Sequence, residues 1–364
     1  MDSPFAKELQ TAINAIQQAA KLSQSVISSE DKGVVEKDDL SPVTVADFAI
    51  QALLTSSIHH VFPSDKFVGE ESAAELRENT VLLDRVWSLL QRLKEPETES
   101  LCKLPTSPDE MCEMIDWCGN GKPGGSESGR VWIFDPIDGT QTFVKGQAYA
   151  INVALLEGGK QLLSIVGCPT IPVGARAPIT NDTTDPARRG SIVFAAKGYG
   201  TYVRPLFAET SEVQIQKIEP HAETAAPQDL RSVTCFNTLV SGVDDAHQVI
   251  VERLGVEFPG CDLLGWVPRW VTLALGAANM TVWVYKRRDR SAKIWDHAGA
   301  MLLFEEVGGK ITDVDGKDID LTVGRKLVNN YGFVAAPKAL HARVLQTVHQ
   351  VLKEQGKDHL LASA

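Results

Sequence analysis

The apolar run Val131-Trp132-Ile133-Phe134 passes without a break into Asp135-Pro136-Ile137-Asp138-Gly139-Thr140. A short apolar run bounded by turn residues reads as a buried strand, so the chain must fold around a strand that ends in two carboxylates. Pro136 removes an N–H and fixes the turn, Gly139 permits a close backbone approach, and both aspartates are thrown onto one convex edge. Hard oxygen ligands of this kind suit magnesium, which keeps several waters and lets phosphate oxygens complete its octahedron. If the residues from Gly139 onward open a helix or turn, their free N–H groups form an anion site beside the cation. On this segment alone an acidic surface turn is an equal reading.

Helical spacing is expected over residues 4–28, 46–59 and 80–93, with a short strand at 66–71. The polar stretch 95–130 is the least ordered by composition. Strands at 150–157 and 162–167 form a hairpin across Gly158-Gly159. Further strands at 192–195, 200–203, 232–236, 281–285 and 332–335 alternate with helices at 245–254, 270–278, 296–306 and 338–353. That alternation predicts a layered α/β (α+β) fold. The 364 residues exceed one core, and 43% hydrophobic content is enough to bury two. The expected subdomains are 1–185, with most of the acids, and 190–357, carrying Asp296 and the leaving-group pocket, with the boundary in the turn-rich 172–190.

Three other acids stand in suggestive places. Glu70, with Glu71, follows the strand Phe67-Val68-Gly69 and offers a carboxylate from a second element, although such pairs are most often solvated. Asp296, in Ile294-Trp295-Asp296-His297-Ala298-Gly299-Ala300, reads as a helix N-cap, a ligand or both. Asp47, in Pro42-Val43-Thr44-Val45-Ala46-Asp47, is a site residue or merely the exposed face of a helix. Asp313-Val314-Asp315-Gly316-Lys317-Asp318 lacks the offsets of a calcium loop and reads as a turn.

A net charge of −11 argues against a nucleic-acid surface. The six scattered cysteines include no CxxC pair, and reduced thiols are expected. No signal peptide and no membrane span are read from the sequence. The expectation is a cytoplasmic monomer.

In order and spacing, Val43-Thr44-Val45-Ala46-Asp47, Val68-Gly69-Glu70-Glu71-Ser72, Phe134-Asp135-Pro136-Ile137-Asp138-Gly139-Thr140 and Trp295-Asp296-His297-Ala298-Gly299 resemble the inositol monophosphatase-like superfamily of lithium-sensitive, magnesium-dependent phosphatases. Together with Ser41-Pro42, Gly124-Gly125-Ser126, the run Thr142-Phe143-Val144-Lys145-Gly146-Gln147 and Lys293-Ile294, they look most like the 3'(2'),5'-bisphosphate nucleotidases. The resemblance covers 5–351. It implies alternating α-β-α-β-α layers and hydrolysis of a phosphomonoester by metal-activated water, with two or three Mg2+ ions and no covalent phosphoenzyme. It makes Glu70, Asp135, the Ile137 carbonyl, Asp138 and Asp296 metal ligands, and Asp47 and Thr140 the catalytic pair that orients the water. Gly139, Thr140, Arg269, Lys293 and Asp296 are then expected to contact substrate.

The nucleotide-binding half departs from that family. Asn237-Thr238-Leu239-Val240-Ser241-Gly242 stands where a serine-rich phosphate-binding stretch is usual. Gly265-Trp266-Val267-Pro268-Arg269-Trp270 stands where an Asp-Ser-x-x-Lys-Tyr pattern is usual, and Trp283 replaces an arginine. The tryptophans are either stacking surfaces for a ring or core packing. Three functions follow as alternatives: a bisphosphate nucleotidase, a paralogue acting on another phosphomonoester, and an inactive metabolite-binding regulator.

Overall fold

A seven-stranded sheet organises the chain, in the order Lys66–Gly69, Arg130–Asp138, Ala150–Glu157, Lys160–Cys168, Ser191–Ala196, Gly200–Pro205 and Gln216–Lys217. The first two strands run parallel and every later pair is antiparallel. The computed structural model describes residues 3–27, 35–36, 42–119, 121–124, 129–208, 213–221, 226–236 and 241–362. The expectations on 41, 125, 126 and 237–240 lie outside the described residues.

Each strand sorts its side chains by the two-residue alternation of an extended chain. On the strand Arg130–Asp138, Trp132 and Phe134 enter one apolar core and Val131 and Ile133 the other. The first core is closed by the helices Ala6–Ile27 and Val45–Val61, which pack on each other and on the sheet. Over the opposite face lie Trp266–Ala274 and Ala300–Glu305. Next comes a three-stranded antiparallel sheet, in the order Thr281–Trp283, Phe333–Pro337, Gly309–Thr312. The helices Asp244–Arg253 and His341–Glu354 cover it. The layers therefore alternate helix, sheet, helix, sheet, helix. The turn-rich 172–190, where the subdomain boundary is expected, joins two neighbouring strands of the large sheet.

Two expectations are corrected. The stretch 95–130 contains the helices Pro96–Leu101 and Pro108–Trp117. The second starts as good helices do: the Ser107 hydroxyl accepts from Glu110 N at 3.1 Å, Pro108 opens the first turn, and Met111, Cys112 and Ile115 are buried. Composition hid that pattern. The helix expected at 296–306 is broken, with a 3-10 turn at Ile294–Asp296 followed by Ala300–Glu305.

All six cysteines are free and buried. Among the described residues, no helix is long and apolar enough to cross a membrane. Asp313 closes a turn, its Oδ1 accepting from the N–H groups of Asp315 and Lys317, both at 2.9 Å.

Candidate active site

Residues three apart on a regular strand face opposite sides of the sheet. Asp135 pairs with Asn152 and Asp138 with Ala150, so three steps on one strand match two on its partner. This is a β-bulge, and its extra residue returns Asp138 to the face that Asp135 occupies. Ile137 is left in the opposite core.

Asp296 arrives on that same face from the 3-10 turn. Asn152 Nδ2 donates to the Trp295 carbonyl at 2.6 Å, which pins the turn to the strand next to Asp135. The approach needs a small residue at Gly299, where an added Cβ would lie 2.7 Å from Asn152 Oδ1. Oxygens of Asp135, Asp138 and Asp296 all lie within 4.8 Å of one another. Asp296 is thus a member of the cluster and not a helix N-cap, since Gly299 occupies the N-cap of the following helix.

Glu70 stands half-buried just past the strand Lys66–Gly69, and its charge acts on all three aspartates. Glu71 is buried, contrary to the solvated pair that is usual. Gln51 holds it, donating from Nε2 to Glu71 O at 2.8 Å and accepting at Oε1 from Glu71 N at 2.9 Å. Asp47 is 1% exposed, so the exposed-face reading fails. It completes a capping box: its Oδ2 accepts from Thr44 N at 2.8 Å and from the Thr44 hydroxyl at 2.7 Å. Asp47 too adds its charge to the field at Asp135.

Gly139 adopts φ +90°, a left-handed conformation that favours glycine, and starts the short helix Thr140–Val144. The Thr140 hydroxyl donates to the Ile137 carbonyl at 3.1 Å, so both predicted oxygens lie side by side. Asp138 Oδ2 accepts from Val267 N at 2.7 Å, the first turn of the helix Trp266–Ala274. Gly265 is what lets that helix approach: a Cβ there would lie 2.5 Å from Asp138 Oδ2.

Arg269 is 2% exposed. Its Nε donates to Leu263 O at 2.8 Å and its Nη2 to Leu264 O at 2.9 Å. Its guanidinium lies 4.3 Å from the Trp266 ring centre and 4.7 Å from that of Trp283. The residue is therefore engaged by carbonyls and indoles, and only its charge reaches Asp138. Trp270 and Trp283 are core packing, and Trp270 Nε1 donates to His297 Nδ1 at 3.1 Å. Lys293 is half-buried beside Asp296, its Nζ 5.2 Å from the Trp295 ring centre.

Burial and mutual repulsion push the Asp135 and Asp296 carboxyls well above the usual carboxylate range, and burial raises Asp138 to about 7. Among the described residues no donor reaches Asp135 Oδ1, which is buried. Crowded, desolvated carboxylate oxygens are unstable alone and match a hard divalent cation that offsets their charge. The residues present therefore fit magnesium. Because the metal-free cluster retains protons near pH 6.5, adding magnesium there should expel them. Titration calorimetry in buffers of different ionisation enthalpy should give heats that vary with the buffer, whereas a buffer-independent heat would contradict a protonated cluster.

Asn152, Gln51 and Gly265 were not read from the sequence as site residues. Their roles arise from contacts across the fold, and the small-residue run at Ala298-Gly299-Ala300 was the only local hint.

Residues 4–353 match the inositol monophosphatase family. The chain is 35% identical over 363 residues to a 3'(2'),5'-bisphosphate nucleotidase of Emericella nidulans, covering 96% of this chain and 99% of the relative. The fold is similar to that of an IMPase from Thermotoga maritima, with a TM-score of 0.58 and 18% identity over 96% of this chain and 99% of that one. It is also similar to an IMPase/NADP phosphatase complexed with Mg2+ and phosphate, with a TM-score of 0.54 and 20% identity over 91% and 90% of the two chains.

Proposed function

Since the chain belongs to the inositol monophosphatase family, we propose that it removes a phosphate from a nucleoside 3'(2'),5'-bisphosphate, with adenosine 3',5'-bisphosphate yielding AMP and phosphate. Metal-dependent phosphomonoester hydrolysis is the chemistry of that family. The substrate is inferred from the nucleotidase that is 35% identical over nearly the whole of both chains. The observation that carries the reading is the cluster of Asp135, Asp138 and Asp296, the first two buried and the third half-buried.

Glu70, Asp135, the Ile137 carbonyl, Asp138 and Asp296 would hold two or three magnesium ions. Magnesium, when bound, neutralises charge on the phosphoryl group and lowers the pKa of water. Water attacks phosphorus opposite the ester oxygen, the P–O bond breaks, and the departing oxygen takes a proton from solvent. Thr140 donates its own proton to the Ile137 carbonyl, which leaves its oxygen to accept from the attacking water. Asp47, held through Oδ2 by Thr44, takes the proton that water loses. The Gly139 and Thr140 N–H groups orient the phosphoryl oxygens, and Lys293 supplies a cation beside Asp296.

A second reading, another phosphomonoester, is favoured by Arg269, which is enclosed by Trp266 and Trp283 and committed to two carbonyls. Phosphate release from adenosine 3',5'-bisphosphate, inositol monophosphate and a simple sugar phosphate, with magnesium and with a chelator, decides between them. The highest kcat/KM is expected on the bisphosphate. A preference for either other ester would select the second reading, and magnesium-dependent release from none would leave a binding protein without turnover.

A further inference from the structure

Pairing of the strand that delivers Glu70 ends at Gly69, opposite Phe134. Past that point one side chain from the far end of the sequence holds the backbone. Arg325 Nη1 donates to Gly69 O at 2.6 Å and to Cys118 O at 3.1 Å, and Nη2 donates to Glu70 O at 3.1 Å. The same residue holds the turn that carries Asp296. Its carbonyl accepts from Ile294 N at 3.0 Å, and its guanidinium lies 4.7 Å from the ring centre of Trp295.

Arg325 thus touches two acid-bearing segments that lie more than two hundred residues apart in sequence, Glu70 and Ile294–Asp296. Its charge acts on Glu70 and Glu71. A planar guanidinium can donate to three carbonyls from its edge while its face stacks on an indole; a lysine ammonium, a point charge, cannot do both.

We propose that Arg325 is a positioning residue of the metal site, fixing the Glu70 main chain and the Asp296 turn at the separation that lets their carboxylates share cations with Asp135 and Asp138. The proposal rests on the phosphatase reading above. Outer residues that orient metal ligands typically change affinity by about 10–100-fold when replaced, so the effect belongs in metal affinity before turnover.

The test uses the full chain as wild type, Arg325→Lys and Arg325→Gln. Mn2+ binding is followed by electron paramagnetic resonance, Mg2+ by displacement of Mn2+, and the metal-free fold by its melting temperature. Both variants are expected to bind Mn2+ about 10–100-fold more weakly with the metal-free melting temperature close to wild type. The magnesium requirement for turnover should rise by the same factor, while kcat at saturating magnesium stays within about threefold. Equal Mn2+ affinity in the variants overturns the proposal, as does weakened binding accompanied by loss of the folded transition in both. Absence of Mn2+ binding by the wild type brings down the phosphatase reading itself, and this proposal with it.

Discussion

Asp138→Asn lowers magnesium-dependent kcat/KM by about 10³-fold or more, and at the same time stabilises the metal-free protein at pH 8. The loss follows from removing one charge of a cation cluster, since charge stabilisation by metal is worth several kcal/mol and each ~1.4 kcal/mol is a factor of about ten. The gain follows from the apo state. Burial raises the folded Asp138 pKa from 3.8 to about 7, so the folded protein holds this proton more tightly than the unfolded chain does. Its contribution to stability is complete below pH 3.8 and is lost as pH rises through about 7. At pH 8 the wild type holds a buried carboxylate that is ionised among neighbouring acids, a cost on the order of a few kcal/mol. Asparagine removes that charge and keeps an oxygen for Val267 N, which now donates to Asp138 Oδ2 at 2.7 Å. Melting curves of wild type and variant with a chelator should cross between pH 5 and pH 8, with the variant higher at pH 8. Retained turnover, or a variant less stable at pH 8, would sink the assignment.

Asp47→Asn separates catalysis from structure. On the proposed mechanism Asp47 takes the proton of the attacking water, and loss of a general base typically costs about 10²–10⁴-fold in rate. Its structural task is to accept from Thr44 N and the Thr44 hydroxyl, and an amide oxygen can still do that. Stability should change by less than about 1 kcal/mol, whereas Asp47→Ala removes the N3 half of the capping box on Thr44 and costs more. Magnesium affinity should stay within a few-fold in the asparagine variant. Turnover within about tenfold of wild type would remove Asp47 from the mechanism.

What the sequence carried about this site was local. The strand ending in Asp135 and Asp138 was legible because apolar run, proline and glycine stand together, and Glu70, Asp296 and Asp47 were legible as short motifs in a recurring order. The residues that assemble those motifs were not. Asn152 reads as one polar residue in an apolar strand, and nothing local says that it donates to Trp295. Arg325 sits in an unremarked loop and finds Glu70 only through the fold. Arg269 was legible as a cation near the pocket, but its enclosure by Trp266 and Trp283 depends on two elements meeting in three dimensions. The missed helix Pro108–Trp117 is different in kind: its cap and proline were in plain sight, and bulk polarity outweighed them.

The bulge between Asp135 and Asp138 makes the length of that segment a matter of odd and even counting. With one residue bulged out, an odd spacing puts both acids on one side of the sheet. One residue more or fewer, with the bulge kept, would send the second acid into the core filled by Trp132, Phe134 and Ile137, where a carboxylate has neither water nor cation. Between the two aspartates, insertions and deletions are tolerable only in pairs.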